Sequence, residues 1–177
     1  MLPAKDYARI NKLYTCLVAI FFTIPALAEP TAININGNII ASPCNVDTNT
    51  VNKTVELGEG SVRDMSVAGA GAEWIDFELM LTKCPAPTVK AIVTFSGTPD
   101  VDDATAFKNS ADATGIALRL ASRDRATTYQ NDSTMTQTID TATHSATFPL
   151  SARMFSPKGN PTSGQFAAAV NVSFTYQ

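Results

Sequence analysis

"GQFAAAVNVSFTYQ", residues 164–177, places an apolar side chain at every second position. A period of two is the spacing of a β-strand, whose successive side chains point to opposite faces of a sheet. The stretch therefore predicts a long strand that buries one face. The side chains on that face are Phe166, Ala168, Val170, Val172, Phe174 and Tyr176.

The same period recurs in four earlier segments, so the fold is predicted to be all-β. They are residues 74–84, 89–97, 115–124 and 145–155. Their inward side chains are expected to be Ile75, Phe77, Leu79 and Leu81; Val89, Ala91, Val93 and Phe95; Ile116, Leu118 and Leu120; and Phe148, Leu150, Ala152 and Met154. A weaker strand is predicted at 52–60. Polar turns separate these short strands, which is typical of a sandwich or barrel.

Local exceptions to the pattern give specific expectations. Pro149 lacks an N–H, so its strand is expected to lie at a sheet edge or to carry a bulge. Cys84 has the wrong parity for the inward face of its strand, so either the strand ends before it or a bulge shifts the phase. One helical turn fits within residues 62–74, and Trp74 is expected in the core rather than at a ligand site.

The first 28 residues have the composition of a secretory signal peptide. Lys5, Arg9 and Lys12 precede an uncharged apolar run. The run ends in Ala26-Leu27-Ala28, which has the A-x-A pattern of a signal-peptidase cleavage site. Cleavage is predicted between Ala28 and Glu29. The alternative is a retained membrane anchor, but the run is shorter than the ~20 residues that span a bilayer.

Removing 28 of 177 residues leaves 149, enough for one domain. This mature chain has a formal charge of −5 and no basic patch, so no nucleic-acid partner is expected. Its two cysteines, Cys44 and Cys84, are an even count in an exported protein, which predicts a disulfide. The alternative is two buried free thiols.

Residues for catalysis or for metal and cofactor binding are scarce. The single histidine, His144, precedes a strand and is interpreted as a turn residue. The acidic stretch "DVDD" (100–103) lacks the glycine and the final glutamate of a calcium loop, and is interpreted as a solvated loop. We expect no enzyme activity, no metal and no cofactor.

The two ends of the mature chain resemble chaperone–usher pilus subunits. Gly164 lies fourteenth from the end and Tyr176 is the penultimate residue, as in the C-terminal motif of that family. "NGNIIASPC" (36–44), "VELGE" (55–59), "WIDFELMLTKCP" (74–85), "VTFSG" (93–97) and "ATFPLSAR" (146–153) are similar to internal segments of type 1 fimbrial minor subunits. The likeness covers the whole mature chain and is greatest to the tip-fibrillum adaptor of type 1-like pili.

This resemblance implies an incomplete immunoglobulin-like β-sandwich, the pilin fold, which lacks its last strand. The gap leaves a hydrophobic groove beside residues 164–177. Gly164 and the six alternating side chains from Phe166 to Tyr176 are then the strand that contacts a chaperone or an incoming subunit. A periplasmic chaperone fills the groove first, and the next subunit's extension replaces it at the outer-membrane usher.

"TAININGNIIA" (31–41) is accordingly expected to be the strand that this chain donates to a neighbour, a form of β-augmentation. Thr31, Ile33, Ile35, Gly37 and Ile39 would face the neighbour's groove. Residues 29–42 are then the donor extension and 43–177 the pilin domain. The alternative is an ordinary first strand in its own sandwich, and self-complementation is a further possibility.

The resemblance implies a minor tip adaptor, exported through the periplasm to a cell-surface fimbrium, where it supports adhesion. Its partners would be the chaperone, the usher, neighbouring pilins and the tip adhesin. Two alternatives stay open: a major shaft pilin, and a small secreted ligand-binding β-sandwich adhesin. The short extension from Glu29 to Cys44 favours a tip subunit over the shaft.

Overall fold

A computed structural model of the chain describes residues 43–177. The predicted signal peptide, its cleavage site and the predicted donor extension lie outside the described residues. Within 43–177 the chain forms β-strands joined by turns, and no helix there is long and apolar enough to cross a membrane. The strands are β1 (Asn45–Val46), β2 (Ile75–Thr82), β3 (Lys90–Ser96), β4 (Phe107–Lys108), β5 (Ala117–Ser122), β6 (Thr128–Tyr129), β7 (Thr134–Thr138), β8 (Ala146–Phe155) and β9 (Asn171–Tyr176).

The strands form two antiparallel sheets. The larger sheet has the order β1-β2-β8-β5-β4, with β6 also paired to β5. The smaller sheet has the order β7-β3-β9. One hydrophobic cluster contains side chains from both sheets, so the sheets pack face to face. The predicted all-β sandwich is confirmed.

The inward faces follow the alternation of the sequence. Phe148 and Leu150 of β8 are completely buried, and so is Leu81 of β2. Leu120 of β5 is only 3% exposed. The smaller sheet contributes the buried side chains of β3 to the same core, namely Ala91, Val93 and Phe95. Val89 was expected inside but is exposed, because it precedes β3 and lies at the end of the sheet.

Pro149 does not mark an edge or a bulge, so that expectation is wrong. β8 is central, and Pro149 pairs in regular register with Glu78 of β2. On its other side, the pairing with β5 ends at Leu150, and the Pro149 carbonyl accepts a hydrogen bond from the Arg123 N–H. The missing N–H therefore faces the end of β5, where no regular ladder partner is needed.

Residues 52–60 do not form the predicted strand. A strand needs a hydrogen-bonded neighbour, and among residues 43–177 the backbone of 53–60 has none. The predicted C-terminal strand is shorter than expected, since regular pairing begins only at Asn171. Residues 62–74 do contain one helical turn, in which the Met65 N–H donates to the carbonyl of Ser61.

Cys84 reaches the core because β2 ends before it. The strand stops at Thr82, and Lys83 takes a left-handed conformation with φ of 51°. This turn reverses the parity, so that Cys84 is buried and its N–H donates to the carbonyl of His144. His144 itself lies in a turn, as predicted, also with positive φ.

Candidate functional site: an apolar groove beside the last strand

The last strand, β9, is paired on one side only. It forms a regular antiparallel ladder with β3, from Ala91 opposite Tyr176 to Ser96 opposite Asn171. On its other side, no strand formed by residues 43–177 is paired with it. An open strand edge offers a row of N–H and C=O groups to an additional strand.

Beside this edge lies a groove of about 1320 Å³. One wall is the stretch 50–60 and the other is the stretch 161–174. Its floor is made of core side chains that belong to both sheets, including Phe77, Leu79, Phe95, Leu118, Leu120, Leu150, Ala152 and Met154. The groove therefore opens directly onto the hydrophobic core of the sandwich.

The structure brings most of the predicted side chains of residues 164–177 to this groove. Gly164, Phe166, Ala168, Val170, Val172 and Phe174 all line it. Those in contact with the core are only partly buried, and Val172 is 37% exposed. On β3, by contrast, the inward side chains are almost fully buried. The last strand thus has apolar surface that the described part of the chain does not cover.

Tyr176 differs from the other predicted residues because it lies beyond the end of the groove. Its hydroxyl donates to the carbonyl of Cys44 at 3.5 Å, and burial raises its pKa. Cys44 and Cys84 form the predicted disulfide, which closes a 40-residue separation. The penultimate aromatic residue therefore fixes the chain end against the bridged cysteines.

The other end of the groove is bordered at Ala113 by the loop 109–113, whose role the sequence did not reveal. The buried Asn109 accepts hydrogen bonds from the N–H groups of Ala111 and Ala167, and its amide donates to the carbonyl of Ala113. The Ser110 N–H donates to the carbonyl of Ala167. Residues 165–167 therefore bond to this loop rather than to a strand, which explains why β9 begins late.

Gly164 is required where this loop meets the last segment. A Cβ atom at residue 164 would lie 2.8 Å from the backbone N of Ala113 and 3.0 Å from its Cα. Next to it, the Gln165 N–H donates to the side chain of Asp112 at 2.5 Å. Backbone atoms cannot move aside as a flexible side chain can, so any larger residue would displace the loop.

The acidic stretch 100–103 lies outside the groove and is occupied by internal contacts. Asp102 pairs with Lys158 at 2.5 Å, and Asp103 pairs with Arg119 at 2.6 Å. Partial burial acts to raise the pKa of Asp103, but hydrogen bonds from Thr105 and the charge and hydrogen bond of Arg119 outweigh it, so the pKa is lowered. Among residues 43–177, no group of three potential metal ligands is present.

An open strand edge, an unpaired facing segment and an apolar floor together suit one kind of occupant. An extended strand can hydrogen-bond along the edge of β9 while alternate side chains enter the groove. The geometry of the groove is therefore compatible with an additional β-strand as its occupant.

Comparison with known proteins gives a consistent result. Residues 33–177 match the family model described as "Fimbrial protein". Protein FimG of Escherichia coli K12 is 35% identical over 149 residues, which cover 84% of this chain and 86% of that protein. The S-fimbrial adhesin protein SfaS of Escherichia coli O6:K15:H31 is 38% identical over 153 residues, covering 85% and 88%. The P pilus rod subunit PapA has a similar fold, with a TM-score of 0.66 at 17% identity over 77% of this chain and 100% of PapA.

Proposed function

The chain belongs to the fimbrial protein family, and from this premise we propose that it is a minor tip adaptor polymerised by donor-strand exchange. Members of this family are structural proteins. The chain is a subunit of a chaperone–usher fimbria at the cell surface, where it contacts other pilins, and its sandwich has the immunoglobulin-like pilin fold.

The open groove is the observation that carries the proposal. A strand bound there would gain about 1 kcal/mol for each ladder hydrogen bond with β9. Each large apolar side chain that enters the groove would add about 1.5–3 kcal/mol. Because these terms accumulate over an extended strand, the resulting complex dissociates slowly, even though ordering the incoming segment offsets part of the gain.

The donated strand of this chain is proposed to be residues 29–42. Ile33, Ile35 and Ile39 alternate as a groove of this kind requires, and Gly37 suits a position where a larger residue would clash. The chain would then receive a strand in its own groove and give one to its neighbour. This head-to-tail exchange generates a polymer without a closed ring.

A groove that opens onto the core is an aggregation hazard before assembly. We therefore place a periplasmic chaperone in the groove first, with a strand along Phe166, Val170, Val172 and Phe174. At the outer-membrane usher, the extension of the next subunit replaces it. The tip adhesin is the expected neighbour on one side of an adaptor.

The adaptor position is favoured by the short segment between Glu29 and Cys44. A second candidate is an adhesin subunit, which is supported by the 38% identity to SfaS, whose name describes an S-fimbrial adhesin. The two candidates differ in where the protein lies along the fibre and in whether it binds a receptor itself. A major shaft pilin is the third alternative.

Peptide displacement tests the exchange step. The full chain is produced with its chaperone and mixed with a peptide of residues 29–42, or with the same peptide carrying Ile35→Asp. The peptide stands in for a neighbour's extension because it has the alternation that such a groove accepts. We expect the first peptide to displace the chaperone and form a denaturant-resistant complex, and the second to fail. Equal behaviour of the two peptides would contradict strand exchange in the groove.

Immunogold labelling of assembled fimbriae tests the position. An adaptor gives label at the fibre tip only, whereas a shaft pilin gives label along the whole length. Label along the shaft would overturn the adaptor assignment while leaving strand exchange intact.

A further inference from the structure

The outer face of the larger sheet, on the side away from the core, presents two arginines directly opposite each other. Arg153 of β8 and Arg119 of β5 are partners in the ladder. Trp74, which immediately precedes β2, lies on the other side of Arg153, with the guanidinium carbon 4.6 Å from its ring centroid. Trp74 is therefore half-buried on the outer face, and the expectation that it belongs to the core is wrong.

Like charges directly opposite each other destabilise an antiparallel sheet. The arrangement therefore calls for a compensating anion. Arg119 has one, since its Nη2 lies 2.6 Å from Oδ2 of Asp103. Arg125 also lies near the Trp74 ring, and its Nη2 is 3.9 Å from Oδ1 of Asp76. Arg153 has no carboxylate within 4 Å among residues 43–177.

Arg119, Arg125 and Arg153, with Asp76 and Asp103, form an arginine cluster that carries one unbalanced positive charge. Three guanidinium groups face two carboxylates, Asp76 and Asp103. Partial burial is the main cause that lowers the pKa of Arg153, and the positive charges of Arg119 and Arg125 act in the same direction. The Nε atoms of Arg119 and Arg153 are also buried without a hydrogen-bond partner.

The two central guanidinium groups are held in place by aromatic rings. Arg119 lies over Phe155 with its guanidinium carbon 3.7 Å from the ring centroid, and Arg153 lies over Trp74. Such stacking fixes the plane of a guanidinium without using its hydrogen-bond donors. The Nε of Arg153 is buried, but the two Nη groups make no hydrogen bond among residues 43–177, and the stacking on Trp74 sets their plane in advance.

We propose that Arg153, flanked by Arg119, Arg125 and Trp74, forms a binding site for a single carboxylate on the outer face of the larger sheet. A planar guanidinium matches a carboxylate through two parallel hydrogen bonds. One unbalanced positive charge suits one monoanion, whereas a dianion would be repelled by Asp76 and Asp103. None of these arginines lines the groove, so the site is independent of strand exchange.

Two sources can supply this carboxylate: an acidic sugar, or a glutamate or aspartate side chain of another protein. Both present the same group to Arg153, and matched probes separate them. D-glucuronate is compared with D-glucose, and a blocked Gly-Glu-Gly peptide with blocked Gly-Gln-Gly. Each pair differs essentially in the presence of the carboxylate.

The test uses the full chain labelled with ¹⁵N. Trp74 is the only tryptophan, so one indole N–H signal reports on the site. We expect saturable shifts with at least one carboxylate probe and none with its neutral match. Arg153→Gln should weaken binding about tenfold, the worth of one hydrogen bond to a charged group. The control Arg123→Gln alters an exposed arginine on the same face and should leave the affinity unchanged.

Which probe binds identifies the source of the carboxylate. Should Arg153→Gln impair folding, Arg153→Lys keeps the charge while losing the planar fork and should still weaken binding. The proposal is overturned if neither carboxylate shifts the signal, or if the Arg153 variants bind as tightly as the unaltered protein.

Discussion

Phe148 and Phe174 pack with their ring centroids 5.6 Å apart, and this contact joins the central strand of the larger sheet to the edge strand of the smaller one. Phe148 is completely buried, whereas Phe174 is only partly buried and also lines the groove. The same ring therefore belongs both to the core and to the surface that an incoming strand would cover.

Replacing Phe174 by Ala should lower stability and weaken strand binding together. We expect a loss of about 2–3 kcal/mol in the free energy of unfolding of the peptide-complemented subunit, below the 3–5 kcal/mol of a fully buried phenylalanine. Urea unfolding measures it. Thr175→Ala, on the exposed face of the same strand, should change stability by less than about 0.5 kcal/mol. Equal effects of the two changes would contradict the assigned faces.

Gly164→Ala should destabilise the end of the groove by about 1–3 kcal/mol, because the added methyl group meets the backbone of Ala113. Hydrogen exchange should show faster opening at Ala113 and Ala167, whose N–H groups bond across this junction. The neighbouring Ser163→Ala serves as the control. Unchanged exchange in the glycine variant would mean that the close approach is not essential.

Asp103 should contribute to stability in a pH-dependent way. Its folded-state pKa lies below the ordinary value of 3.8, so the unfolded state binds its proton more readily. The contribution is complete above the ordinary pKa and is lost as the pH falls through the folded value. The difference in free energy of unfolding between the unaltered protein and Asp103→Asn should stay constant from about pH 7 to pH 5 and shrink below about pH 4. A difference that grows at low pH would contradict this assignment.

The disulfide should stabilise the sandwich by about 4 kcal/mol on the chain-entropy model for a loop of this length. The double variant Cys44→Ala, Cys84→Ala should lose that amount in denaturant unfolding. A reductant should lower the stability of the unaltered protein in the same way and leave the variant unaffected. Insensitivity of the unaltered protein to reductant would favour two free thiols.

Much of the fold was predictable because strands with one buried face carry their pattern locally. The alternations around Leu79, Val93, Leu118 and Leu150 each identified a strand and its inward side. The all-β sandwich follows from these periods and from the polar turns between them. The cysteine count also predicted the bridge between Cys44 and Cys84.

The errors arise where the structure depends on partners distant in sequence. Residues 52–60 have a strand-like pattern, but a strand forms only with a neighbour, and none lies beside them within 43–177. Pro149 was assigned to an edge because local reasoning could not tell that β5 ends beside it. The anchoring role of Asn109 depends on residue 167, more than fifty positions away.

The candidate site was predictable in part for the same reason. The apolar face of residues 164–174 is visible as a local period, whereas the open edge of β9 depends on the pairing of the whole sheet. The arginine cluster was not predicted, because Arg119 and Arg153 become neighbours only through the register between β5 and β8.

The stability of residues 43–177, with and without an added strand, tests the central claim most directly. The domain is produced without residues 1–42, and its unfolding is followed in denaturant alone and with a peptide of residues 29–42. We predict a poorly stable, aggregation-prone domain that the peptide converts into a monomer unfolding cooperatively at much higher denaturant concentration. A domain that is already monomeric and stable alone, and that the peptide does not stabilise further, would contradict the account.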